Sequence, residues 1–216
     1  QPVGPTIGTF YYLSELFALA SGRRKYVYLS DGGHFENLAV YELLRRRCKY
    51  IICIDGEEDA GMKFEGLGEL IRKARADLGV DIDVSVSNIE ERSEEGFSHR
   101  HCAVANIRYP DREPNDTATL LYLKLSVTGD EPVDVLHYRK LNPQFPHQST
   151  GDQFFSESQF ESYRALGFHV AETVFRPIEV GTSPNLKEIF ANLHNFWTGV
   201  PNHLDAKFTA STEAFM

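Results

Sequence analysis

Apolar and polar positions along the chain follow two periods, and their switches mark the expected elements. Leu13, Leu16, Phe17 and Ala20 recur at helical spacing and Gly22 follows as a stop, which predicts a short amphipathic helix. An apolar run, Tyr26 to Leu29, then ends at Asp31-Gly32-Gly33, and a second, Tyr50 to Ile54, ends at Asp55-Gly56. Between them Phe35, Leu38, Ala39, Val40, Leu43 and Leu44 predict a helix with little polar face. The stretch therefore reads as strand, helix, strand, with the two strands parallel. In open parallel sheets chemistry gathers beyond the carboxyl ends of the strands, where Asp31 and Asp55 would both sit.

Further along, Leu67, Leu70, Ile71, Ala74 and Leu78 predict a helix stopped by Gly79. Ile82, Val84 and Val86 alternate with polar residues, as in a half-buried strand. After a polar connection at 90–98, two more strands are expected at 101–109 and 119–127, forming an antiparallel edge or appendage. The proline-rich stretch 130–148 reads as a surface loop pinned to something beneath it. Ser149 with Asp152, or Thr150 with Gln153, would cap the next helix, whose Phe154, Phe155, Phe160, Tyr163 and Leu166 have the density of a core. Ser183-Pro184 opens a last helix with an apolar stripe of Leu186, Ile189, Phe190, Leu193 and Trp197.

Composition narrows the field. A chain of 216 residues, 42% hydrophobic, buries a proper core as one domain. A net charge of -9 argues against a nucleic-acid surface. The basic run Arg45-Arg46-Arg47 falls where cations complement a helix carboxyl end. Cys48, Cys53 and Cys102 offer neither a disulfide framework nor a thiolate zinc site, and Cys53 reads as a small hydrophobe in a strand. No apolar run approaches the ~20 residues a membrane helix needs and no secretory signal is visible. The expected location is cytoplasmic, or membrane-associated through polypeptide elsewhere. Gly56-Glu57-Glu58-Asp59 reads as a solvated acidic turn, and His99-x-His101-Cys102 as a strand edge without the further ligands a zinc site requires. No metal and no cofactor are expected.

Asp31 admits two readings. It caps a helix with Gly32-Gly33 as an ordinary turn, or it is a chemical group on a turn that another segment approaches closely. The string DGGHFENLAVYELLRRRCKYIICIDG, from Asp31, resembles the patatin-like phospholipase family in its bacterial branch near the cytosolic phospholipases. NPQFPHQSTGDQFFSESQFESYRALG, from Asn142 to Gly167, is similar to a stretch of the same branch. The resemblance runs from about Tyr11 to about Ala171. It implies an α/β fold, a three-layer sheet with parallel central strands and an antiparallel edge. It also implies that Asp31 is the base of a serine-aspartate dyad, with Gly32 and Gly33 as the supporting turn and His34 and Asn37 as secondary candidates on a shared face.

The family's Gly-x-Ser-x-Gly elbow and Gly-rich oxyanion loop, which precede the aspartate, are absent from the sequence. Its nearest fit, Gly181-Thr182-Ser183-Pro184-Asn185, lies downstream, lacks the closing glycine and reads as a helix cap. With Gln1 only thirty residues before Asp31, residues 1–200 are expected to be the carboxyl-terminal part of a longer hydrolase domain and 201–216 a fraying tail. The activity implied is hydrolysis of lipid esters, with a membrane surface met through the preceding part. The aromatic helix would then be either core or the wall of an acyl groove. The competing expectations are a docking or regulatory module that has lost the nucleophile and uses 154–166 as its contact face, and a phosphate-binding protein. In the latter a negative Asp31 would repel the ligand.

Overall fold

The structure, a computed structural model, describes residues 8–17, 19, 21, 23, 25–26, 31–90, 92–113, 116–178 and 184–199. The chain divides into two compact units, Gln1–Asn37 and Leu38–Met216. The first contains helix α1 (Gly8–Leu16) and a single 3-10 turn, Gly32–His34. The expected apolar stripe of α1 is not a buried face. Leu13, Leu16 and Phe17 are exposed, as are Phe10 and Tyr12, because apolar side chains point in more directions than one short helix can cover. Ala20, Gly22 and the expected strand beyond Tyr26 lie outside the described residues.

The second unit is α/β. Its elements are α2 (Tyr41–Arg45), β1 (Tyr50–Asp55), α3 (Glu65–Leu78), β2 (Asp81–Asp83), α4 (Ser87–Glu90), β3 (Cys102–Arg108), β4 (Ala118–Lys124), α5 (Val133–Leu141), α6 (Glu157–Phe175) and α7 (Leu186–Gly199). The described strands form a mixed sheet ordered β1-β4-β3-β2. Strands β1 and β4 are parallel, in register from Tyr50 opposite Thr119 to Asp55 opposite Lys124. Strand β3 runs antiparallel to both β4 and β2. Strand β4 alternates between two cores. Ala118, Leu120 and Tyr122 face a cluster that includes Leu44, Leu67, Leu70 and Ile89, from α2, α3 and α4. Leu121 and Leu123 face a second, built on Val135, Leu166, Val170, Phe190 and Trp197 from α5, α6 and α7. The sheet is thus the middle of three layers, the general arrangement expected.

Several elements depart from expectation for local reasons. No continuous helix follows Asp31: Leu38, Val40 and Leu44 are buried while Ala39 adopts φ 56°, and only five residues, Tyr41–Arg45, become helical. The left-handed turn at Ala39, followed by Val40 in the right-handed helical region (φ −94°, ψ −29°), breaks the helical path and lets Leu38 and Val40 both bury. Arg45 and Arg46 both pair with Glu42, and Arg47 with Asp111, so the basic run is a solvated helix end. The parallel partner of β1 among the described residues is β4.

Helix α3 ends at Gly79 (φ 62°) as its sequence predicts. Strand β2 stops at Asp83, and the chain turns into α4 so that Ile89 can bury. The proline-rich stretch 130–148 is no simple loop. Pro132 precedes α5, and Phe145 is buried between the rings of Tyr138 and Tyr163. Helix α6 is capped by neither Ser149 nor Thr150. Ser156 Oγ accepts from Gln159 N at 3.2 Å, and helical spacing then turns Gln159, Ser162, Leu166, Val170 and Val174 inward. Phe154 and Phe160 are left 94% and 62% exposed, so the aromatic density there is not a core. Helix α7 starts where Asn185 Oδ1 accepts from Glu188 N at 3.0 Å, and it buries Phe190, Leu193 and Trp197 but leaves Leu186 exposed. Residues 201–216 lie outside the described residues.

These positions predict contrasting mutational costs. Leu166→Ala removes a fully buried side chain and should lower stability by about 2–5 kcal/mol in equilibrium urea unfolding. Phe160→Ala, six residues earlier on the same helix, should change it by no more than about 0.5 kcal/mol.

Candidate functional site

In the first unit, Asp31 stands at the head of the 3-10 turn with its backbone extended (φ −59°, ψ 136°). Its Oδ1 accepts from Gly33 N at 3.0 Å, while its carbonyl accepts from His34 N at 3.2 Å and lies 3.1 Å from His34 Nδ1. Asp31, Gly32, Gly33 and His34 are all exposed. Neither glycine has positive φ. A Cβ at Gly33 would meet Asn37 Oδ1, the end of a side chain that would have to turn aside, whereas a Cβ at Gly32 would meet nothing. The structure therefore brings Asp31, Gly33, His34 and Asn37 together around one turn. His34 addresses the Asp31 backbone rather than its carboxylate, so the amide of Gly33 does the orienting.

In the second unit, a different carboxylate closes the parallel strands. Asp55, 1% exposed at the end of β1, accepts from Lys124 Nζ at 3.0 Å and from the Tyr122 hydroxyl through Oδ2, and from Glu57 N at 2.9 Å through Oδ1. Lys124 also lies 3.5 Å from Asp59 Oδ2. Burial, the largest influence on Asp59, pushes its carboxyl up, but amide donation from Lys63 and Phe64 together with the Lys124 charge outweighs it, holding the group below the usual range. The acidic turn is thus not merely solvated: Asp59 is folded back into the network. Burial, then the negative charge of Asp55, pushes the Tyr122 hydroxyl up, keeping it a donor. Such a saturated network holds strands together and presents no spare group for chemistry.

The sequence gives no spacing cue for a third assembly. His101, just before β3, is buried with Glu131 from the β4–α5 connection, their Nε2 and Oε1 3.9 Å apart. Asp130 Oδ1 lies 3.2 Å from Nε2 of His169 on α6. One donor atom from each of His101, Asp130, Glu131 and His169 falls within 4.8 Å of every other. His101, Asp130 and His169 line a cavity of about 780 Å³ that also reaches Arg100, Glu172 and Trp197. The His99-x-His101 pattern was visible, but its partners come from a distant loop and helix. Cys102, by contrast, turns into the second core, where burial pushes its thiol up to about 12.

Serine placement does not supply the absent elbow. Ser183 lies outside the described residues, and Ser98, in the similar Gly96-Phe97-Ser98, is buried in a loop beside a single bridge to Arg92. No family model, curated protein or solved structure matches the chain.

The buried network carries a pH dependence through His147, whose Nδ1 has no hydrogen-bond partner among the described residues. Burial, reinforced by the Lys124 charge, pushes His147 from 6.5 down to about 4. The unfolded chain therefore takes up a proton that the fold refuses over this interval. The stabilisation is complete above pH 6.5 and is lost as pH falls toward about 4, a change of about 3 kcal/mol. His147→Gln should flatten that part of the urea stability profile; an unchanged slope would assign it to other groups.

Proposed function

We propose that this chain is the aspartate-bearing part of a serine acyl hydrolase that cleaves lipid esters. The observation that carries the reading is an exposed Asp31 carboxylate, oriented by the Gly33 amide on a turn where Gly33 lies close against the Asn37 side chain. Its support in sequence is the pair of strings that resemble the patatin-like family. In this reading a serine from polypeptide outside these 216 residues attacks the ester carbonyl, and Asp31 takes its proton. The tetrahedral oxyanion is held by amides of that other segment, and Asp31 returns the proton to the departing alcohol. Water then repeats the sequence on the acyl-enzyme. Ile52 and Ile54, left exposed on β1, fit the same view as apolar surface for further polypeptide to cover.

The finer architecture belongs to the same proposal: the three layers are those of a patatin-like domain, of which this chain forms the carboxyl-terminal part. A second reading, a docking module without catalysis, is favoured by the exposure of Phe154, Phe155 and Phe160 beside α6.

Asp31→Asn in the full polypeptide should abolish hydrolysis of a lipid ester with no change in thermal midpoint, because the side chain keeps its cap but loses its basicity. Hydrolysis by that variant within a few-fold of the parent would remove Asp31 from the mechanism. Absence of esterase activity in the parent, together with loss of a partner complex on Phe160→Ser, would favour the docking module.

A further inference from the structure

We propose that His101, Asp130, Glu131 and His169 form a binding site for a divalent transition-metal ion of the zinc class. The inference is independent of the hydrolase reading, since it uses other residues and another element set. Its basis is convergence. The amino end of β3, the β4–α5 connection and α6 bring two imidazoles and two carboxylates to one place, a donor set suited to zinc and its first-row neighbours. With both imidazoles neutral the four side chains carry a formal charge of about −2, which a divalent ion cancels.

The surroundings are arranged as a metal site requires. His101 Nδ1 lies 3.0 Å from Ser126 Oγ, and that hydroxyl donates its own proton to the Arg100 carbonyl at 3.2 Å. An ion at Nε2 requires the ring proton on Nδ1, and Ser126 Oγ is placed to accept it there. Glu131 is held by two amides, Thr128 N donating to Oε1 at 2.6 Å and Gly129 N to Oε2 at 2.9 Å. The Thr128 hydroxyl stands among the donors, 3.2 Å from His101 Nε2, 2.7 Å from Asp130 Oδ1 and 3.2 Å from Glu131 Oε1. Arg139, whose charge also feels Glu131, is engaged with the carbonyls of Glu95 and Gly96.

The distances decide how much must move. Ligand bonds of ~2.1 Å put tetrahedral neighbours ~3.4 Å apart. The His169–Asp130 pair is already at 3.2 Å and the His101–Glu131 pair at 3.9 Å, so the 4.8 Å outer limit closes by rotation of exposed Asp130 and half-buried His169, with Thr128 turning aside. The cavity lined by His101, Asp130 and His169 gives the ion its path. Once bound, it ties α6 to the head of β3 and to the β4–α5 connection.

The test is titration of the chelator-treated full chain with Co²⁺ and with Zn²⁺. The expected results are one equivalent of Co²⁺ giving visible d–d absorption that Zn²⁺ abolishes, and a thermal midpoint raised by Zn²⁺. His169→Gln and Asp130→Asn, both on the accessible side, should each weaken Zn²⁺ binding at least tenfold, and Ser126→Ala, acting through His101, by about 10–100-fold. Absence of stoichiometric Co²⁺ absorption would overturn the proposal, as would binding unaltered by both accessible-side variants. A thermal midpoint that follows pH but ignores Zn²⁺ would also overturn it, assigning the cluster to protonated histidine.

Discussion

The structure of the larger unit depends on the complete enclosure of β4. That strand is paired on both edges, by β1 and β3, and packed on both faces, by the helices on either side of the sheet. Enclosure leaves Lys124, at its end, about 1% exposed, and a buried ammonium without an acid would cost several kcal/mol. The parallel register answers this by setting Asp55 opposite Lys124, with Tyr122 and Asp59 completing the pairing. Hydrophobic alternation along β4 brings the layers together, and the buried charge selects the register of its parallel neighbour. A slip of β1 by one residue would strand the ammonium and turn Ile51 and Cys53 out of the first core.

That frame accounts for where chemistry is and is not available. Asp55 has the position at a strand end that ligands commonly exploit, yet its Oδ2 is taken up holding β1 to β4 through Lys124 and Tyr122, and its Oδ1 by the Glu57 amide of the following turn. Asp31 is its opposite, a carboxylate in the open, bound to a single amide and stationed on a turn whose second glycine cannot be replaced without displacing Asn37. The cluster around His101 differs from both, because its acids and imidazoles come from elements that touch only after the sheet and α6 have formed. A strand end, a turn and an assembled cluster thus divide the acidic groups into one that holds the fold, one proposed to move a proton and one proposed to hold an ion.

What could be read from the chain reflects how local each determinant is. Leu67, Leu70 and Ala74 with Gly79 specify α3 without help from elsewhere, and the paired strands around 102–108 and 118–124 announce themselves by composition. The helix expected after Asp31 failed because burial at Leu38 and Val40 is imposed by the core of the larger unit, and no local periodicity reveals that demand. Aromatic density misled at Phe154, which precedes α6 in an exposed connection, and at Phe160, which the rotation of α6 set by the cap at Ser156 sends outward. Proline likewise read as loop at 130–148, although Pro132 suits the residue just before a helix. The turn at Asp31 was legible because its parts are contiguous; Glu131 and His169 were not, because nothing near them in sequence reports their meeting with His101.

The central functional claim is that Asp31 activates a serine, and covalent labelling of the full polypeptide with a fluorophosphonate ester tests it most directly, because the probe reports the activated hydroxyl without requiring the natural lipid. The account predicts phosphonylation of a single serine, with a rate that falls by at least about 10²-fold in Asp31→Asn, the contribution expected of a general base. A labelled serine whose reactivity ignores that substitution, or a polypeptide with no reactive serine at all, would contradict it.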